Sequence, residues 1–175
     1  MRKLLTLALL LGFVLPGAAQ TNLRDLSGQA HSVAEMAAKP GTEAVVLVVW
    51  CSQCGSCRGV EREIASFAAA DPDKVRVVAV APHPGDSPDR IKTFLKGQGI
   101  KLEVMRDANQ AMVRALHIDR TTTTLVYDKK GKLRYMGPFT GSGEGFAKDA
   151  VAQVLAGEEV SMKTRPLKGC PIPLP

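Results

Sequence analysis

Residues Ala44-Val45-Val46-Leu47-Val48-Val49-Trp50 form an apolar run that no polar residue interrupts. A Val-rich run of this kind predicts a central strand covered on both faces, because a half-exposed strand would alternate apolar and polar positions. Val75 to Ala81 predicts a second buried strand. Between them Val60, Ile64, Phe67 and Ala68 recur at helical spacing, and Asp71-Pro72-Asp73 ends that helix because proline restricts its predecessor and has no amide hydrogen. Pro82 to Ser87 reads as a loop, with Ser87 as N-cap and Pro88 in the first helical position of the next helix. Ile91, Phe94 and Leu95 give that helix its apolar face, and Gly97 to Gly99 stop it. Leu102 to Met105 predicts a short strand and Gln110 to Leu116 a short helix. Thr122 to Tyr127 and Leu133 to Met136 alternate around Asp128-Lys129-Lys130-Gly131, a hairpin signal. Phe146, Val151, Val154 and Leu155 mark a closing helix, and Asn22 to Val33 predicts an entry hairpin turning at Ser27-Gly28.

Strand–helix alternation followed by a hairpin and a last helix predicts an α/β fold: a central mixed sheet with helices on both faces. The first long helix then lies over the central strand by the right-handed crossover rule. The expected organisation is a leader at 1–19, one domain at 20–160 and a tail at 161–175 that contains Cys170. In the leader, Arg2 and Lys3 precede an apolar stretch, Leu4 to Val14, and Gly17-Ala18-Ala19 offers small residues for cleavage. The stretch is short for a membrane span, so the expectation is a cleaved signal peptide, a periplasmic or secreted location and no stable membrane insertion afterwards.

The formal charge is +6, of which Arg2 and Lys3 leave with the leader. The basic residues are scattered and aromatics make up 5% of the chain, so no stacking platform for nucleic acid is expected. Four cysteines remain, Cys51, Cys54, Cys57 and Cys170, and three of them fall within seven positions. In an oxidising compartment this even count permits two disulfides with three connectivities.

Two overlapping Cys-x-x-Cys pairs, Cys51/Cys54 and Cys54/Cys57, lie just before the first long helix. A cysteine at a helix N-terminus meets unpaired amides and the positive end of the dipole, which favour the nucleophilic thiolate. A second cysteine three residues on is one turn away and can attack a mixed disulfide, releasing the partner. The residue types and spacing therefore point to thiol–disulfide exchange, with the register of the pair open.

The stretch Val46 to Ile64 resembles the active-site segment of the thioredoxin-like superfamily, in which a strand and a Trp lead, three residues on, to Cys-Gly-Pro-Cys and a basic residue. Trp50, Cys54, Gly55, Cys57 and Arg58 match that segment, with Ser56 in place of the Pro. His83-Pro84-Gly85-Asp86, Asp128-Lys129-Lys130-Gly131-Lys132 and Gly169-Cys170-Pro171-Ile172 are similar to segments of exported redoxin-domain proteins. The resemblance implies a thiol–disulfide oxidoreductase with Cys54 as nucleophile, Cys57 as resolving thiol and Cys51 as an extra. It implies no cofactor, and as partners protein thiols or disulfides plus an electron-donating redox protein. With Cys54 and Cys57 paired, Cys51 is the thiol left for Cys170, giving an expected Cys51–Cys170 bridge that pins the tail beside the site.

Three departures qualify the resemblance. Thr121-Thr122 stands where such proteins carry a residue followed by cis-proline, so a trans Thr122 and a reshaped loop are expected, and Thr122→Pro would restore the docking edge. Val48 occupies the place of thioredoxin's buried acid, and neither Glu61 nor Glu63 takes over that role on sequence alone. The peroxiredoxin pattern Pro-x-x-x-Thr/Ser-x-x-Cys fails at every cysteine, ranking thiol peroxidase activity below disulfide exchange. A binding-module alternative uses Cys51, Cys54 and Cys57 as zinc, copper or iron–sulfur ligands, completed by His83 or His117; His31, His83 and His117 read more readily as surface or cap residues.

Overall fold

The computed structural model describes residues 23–55, 59–140 and 145–173. The leader lies outside the described residues, as do Ser56, Cys57 and Arg58. In chain order the elements are β1 (Leu23–Asp25), β2 (Ala30–His31), α1 (Val33–Ala37), β3 (Ala44–Val49), α2 (Val60–Ala68), β4 (Val75–Ala81), α3 (Pro88–Gln98), β5 (Val104–Arg106), α4 (Ala111–Ala115), β6 (Thr123–Asp128), β7 (Leu133–Pro138) and α5 (Phe146–Leu155). The strands form one mixed sheet in the order β2-β1-β5-β4-β3-β6-β7.

β3 is the central strand that its unbroken apolar run demands. All six of its residues are fully buried, and it pairs parallel with β4 and antiparallel with β6. Its side chains divide by the two-residue period of a strand. Val45, Leu47 and Val49 face α1, α4 and Ile172 of the tail, whereas Ala44, Val46 and Val48 face α2 and α5. α3 covers Ala79, Ala81 and Trp50 on the same side as α2. The crossovers β3-α2-β4 and β4-α3-β5 step in one direction across the sheet, so right-handedness sets both helices on one face.

Local chemistry explains the boundaries. Ser87 caps α3 by accepting from Arg90 N, Pro88 follows, and Gly99 ends the helix in the left-handed conformation its missing Cβ permits. The entry hairpin is present but ends early: Val33 opens a short helix instead. Ser32 accepts from Glu35 N while the Glu35 side chain accepts from Ser32 N, a capping box that five residues of periodicity do not announce.

The tail does not hang free. Met136 N donates to Lys163 O at 2.8 Å and Arg165 N to Met136 O at 3.0 Å, so the tail pairs along the open edge of β7. The Arg165 guanidinium then stacks over the Phe146 ring, 3.8 Å from its centroid. From there the chain crosses to the C-terminal end of β3, where Ile172 is buried.

α4 has a left-handed N-cap, Gln110, whose side chain makes no capping bond to the helix. Its first amides are satisfied from outside the helix: buried Asp107 accepts from Met112 N at 3.2 Å and from Val113 N at 3.0 Å. Asp107→Ala leaves both donors unpaired, and we expect a loss on the order of 2 kcal/mol, read by chemical denaturation.

Candidate active site

The chain leaves β3 through buried Trp50, whose amide donates to Val80 O at 2.8 Å, continuing the β3–β4 pairing one residue further. Trp50 packs on Phe94 of α3, with centroids 5.4 Å apart. Cys51 to Cys54 then form a turn, and α2 runs from Val60 after a Gly59 cap at φ 98°. Ser56 to Arg58, which join this turn to α2, lie outside the described residues.

Asp86 holds this turn from below. Fully buried, it accepts from Ser52 N at 3.2 Å, from Ser52 Oγ and from Gln53 Nε2 at 3.5 Å. His83, on the same loop, accepts at Nδ1 from Gly85 N at 3.0 Å and from Gln53 Nε2 at 3.1 Å. The segment His83 to Asp86, singled out only as a resemblance, thus positions the cysteine turn. Asp86 itself was missed, since one acid within a loop motif looks like a solvated one.

The four cysteines sort differently from expectation. Cys54 is bonded to Cys170, with Cα atoms 6.7 Å apart and 116 positions between them. Cys51 is a free, buried thiol. The expected Cys51–Cys170 bridge is therefore replaced: the tail is pinned beside the site, but through Cys54. Cys51 turns inward, 6% exposed, its sulfur accepting from Gln53 N at 3.4 Å, whereas the Cys54 sulfur faces the tail. Burial pushes the Cys51 thiol up to about 11, and the nearby Asp86 carboxylate adds to the shift. That is the reverse of an activated nucleophile.

Thr121 and Thr122 stand opposite. Thr121 is buried, and its Oγ1 lies 3.9 Å from the Cys54 sulfur. No cis peptide bond occurs among the described residues, and Thr122 adopts φ 62°, a left-handed conformation rare for a β-branched residue. Its amide donates to Val49 O at 2.6 Å, its carbonyl accepts from Phe139 N at 3.1 Å and its hydroxyl donates to Lys168 O at 3.0 Å. Thr122 is therefore trans, and these bonds hold the loop.

Glu61 is buried at the start of α2, with Oε2 lacking a hydrogen-bond partner, whereas Glu63 is exposed. Sequence reasoning could not separate the two, because burial in the first turn depends on how α2 docks. A cleft of about 280 Å³ opens beside Cys54, lined by Cys51, Gln53, His83, Thr121, Pro171 and Pro173 among others. Among the described residues no group of three His, Cys, Asp or Glu side chains converges on a point where a metal could sit. His31 pairs with Asp25 at 3.1 Å and His117 is exposed, so neither joins the cysteines.

The sheet order, the cysteine turn at the end of β3 and the Thr loop at the start of β6 define a thioredoxin-like redoxin. The chain belongs to the AhpC/TSA family, whose model matches residues 15–136, and so to a class of oxidoreductases. An uncharacterised conserved protein of Geobacillus kaustophilus superposes with TM-score 0.76 at 23% identity, covering 91% of this chain and 90% of the other. A hypothetical protein of Sinorhizobium meliloti 1021 gives 0.72 at 24%, covering 86% and 88%. A secreted disulfide oxidoreductase of Mycobacterium tuberculosis gives 0.58 at 17%, covering 80% and 97%. No curated protein sequence matches significantly. Among the described residues no helix is long and apolar enough to cross a membrane.

Thr122→Pro is expected to damage the loop rather than restore a docking edge. Proline requires φ near −65° and removes the amide that bonds Val49, so stability should fall on the order of 3 kcal/mol in a denaturation experiment. For Cys51 the folded thiol titrates above its ordinary value of 9.0. The stability gained by keeping it protonated is complete below about pH 9 and is lost as pH rises through about 11. Iodoacetamide should therefore label Cys51 in the native protein only slowly at pH 8. Asp86→Asn, by removing the nearby negative charge, should lower the Cys51 pKa and speed that labelling, as followed by mass spectrometry across pH.

Proposed function

We propose that the protein is an exported thiol–disulfide oxidoreductase that exchanges disulfides with partner proteins through Cys54, with Cys57 as resolving thiol. The observation that carries this reading is the state of Cys54 itself. Its sulfur sits in a disulfide at the edge of a cleft, next to Thr121 on the loop facing the turn. A sulfur in a disulfide beside an accessible surface is open to attack by another thiol, which supports assigning exchange to Cys54 rather than to buried Cys51. Cys57, three residues after Cys54, has the spacing for attack on that sulfur.

The exchange balances simply. The Cys54 thiolate attacks a partner disulfide, releases one partner thiolate and forms a mixed disulfide; Cys57 then attacks Cys54, releases the second partner thiol and leaves Cys54–Cys57 oxidised. A dithiol donor returns two electrons to close the cycle. Export rests on the basic and apolar leader, and a periplasmic or secreted location suits a structural neighbour described as secreted.

Cys54→Ser is expected to abolish reduction of insulin disulfides by dithiothreitol-regenerated enzyme, a fall of about 100-fold or more. Cys57→Ser should stop turnover while leaving Cys54, once reduced, able to form mixed disulfides. Full turnover in Cys57→Ser together with loss in Cys51→Ser would transfer the pair to the Cys51/Cys54 register.

A further inference from the structure

The segment Lys168 to Pro173 lies on the chain as a bound peptide would. Its main chain is held at nearly every residue. Thr122 Oγ1 donates to Lys168 O at 3.0 Å, Arg120 Nη1 to Gly169 O at 3.3 Å and Thr121 N to Cys170 O at 2.9 Å. Cys170 N in turn donates to Thr121 Oγ1 at 3.0 Å, Ile172 N to Asp119 O at 2.8 Å, and Gln110 Nε2 to Pro173 O at 2.8 Å. Arg120 and Pro171 form an antiparallel bridge, the start of a strand added to the loop before β6. Two side-chain positions are selected as well. Ile172 is buried in the core under β3, and Gly169, at φ 118°, has no room for a Cβ, which would run into the Thr121 carbonyl. Between them Cys170 delivers its sulfur to Cys54.

We infer that the tail is a tethered occupant of the groove that receives partner peptides, and that Cys54–Cys170 is an internal mixed disulfide masking the nucleophile until a thiol opens it. This inference rests on the reading of Cys54 as the exchanging thiol. The tether gives the tail an effective concentration far above that of most free partners, so the masked form is the resting state in an oxidising compartment. Opening proceeds by either of two balanced routes. A Cys57 thiolate attacks the Cys54 sulfur, forming Cys54–Cys57 and releasing Cys170 as a thiolate that takes up a proton, with no net electron transfer. Alternatively an external dithiol reduces the bond with two electrons, leaving Cys54 and Cys170 as thiols and itself becoming a disulfide. The groove also specifies the partner it accepts: an extended chain with glycine before the reactive cysteine and a branched aliphatic residue two places after it.

The test uses the full-length exported form in the Cys57→Ser background, where Cys54 has the tail and an added partner as competitors. Peptide mapping under non-reducing conditions should find Cys54 joined to Cys170, and Cys54 should resist iodoacetamide. Adding Cys170→Ser should speed Cys54 alkylation by at least 100-fold and raise capture of insulin chains whose cysteines carry thionitrobenzoate, which is released as the mixed disulfide forms, by at least 10-fold. Gly169→Ala keeps Cys170 but sets a Cβ against the Thr121 carbonyl, so it should also raise capture, by several-fold. A synthetic peptide of residues 166–175 carrying a thionitrobenzoate-activated cysteine should react with the Cys57→Ser/Cys170→Ser protein at least 10-fold faster than the same residues scrambled. Freely alkylated Cys170 in the Cys57→Ser protein, or equal capture with and without Cys170, would overturn the mask. If Cys54 proves masked by Cys170 but insulin is not reduced by the wild-type, Cys170→Ser or Gly169→Ala protein, the mask stands and the oxidoreductase reading fails instead.

Discussion

The antiparallel pairing of β3 with β6 is the constraint on which the site depends. The register runs from Ala44 opposite Asp128 to Val48 opposite Thr124, so the end of one strand meets the beginning of the other. The turn that carries Cys51 and Cys54 therefore faces the loop that carries Thr121 and Thr122. Because β3 is buried on both faces, a slip of one residue would exchange every side chain between two different cores. The hydrogen bond from Thr122 N to Val49 O extends this pairing beyond the last ladder residue. It also explains how a β-branched residue is kept at a positive φ, since the surrounding bonds over-determine it.

The tail ties a sheet edge and the Cys54 sulfur into one system. β7 has an edge that would otherwise present unpaired amides and carbonyls, and Lys163 to Arg165 cover part of it. The chain then reaches the Thr loop already directed, with Arg165 anchored on Phe146 and Ile172 seated in the core. Closing a loop of 116 residues through Cys54 and Cys170 restricts the unfolded chain, a contribution on the order of 4–5 kcal/mol in the chain-entropy model. The same bond that closes this loop occupies the Cys54 sulfur at the edge of the cleft. Cys51, kept protonated by burial and by Asp86, is a free thiol turned into the core.

The long elements were legible in the chain because each carries a period or a stop that acts locally. β3 and β4 announced themselves as unbroken apolar runs, and α3 by Ser87, Pro88 and Gly99 at its ends. β5 shifted to Val104–Arg106 and α1 went unread, since short elements owe their limits to neighbours or to a single cap. At the site, the cysteine cluster and the Thr121-Thr122 departure were visible as residues. The bonding of Cys54 to Cys170, the support from Asp86 and the burial of Glu61 rather than Glu63 were not.

Hydrophobic period, caps and cysteine spacing are local quantities, so the α/β class, the order of the principal strands and helices, and the clustering of Cys51, Cys54 and Cys57 were readable from the chain alone. Only the tertiary structure decided which cysteine faces the tail, where the tail runs and what holds the cysteine turn. Those contacts join positions more than a hundred apart, and burial, which turns Cys51 inward and leaves Cys54 at the cleft, is a property of the packed chain.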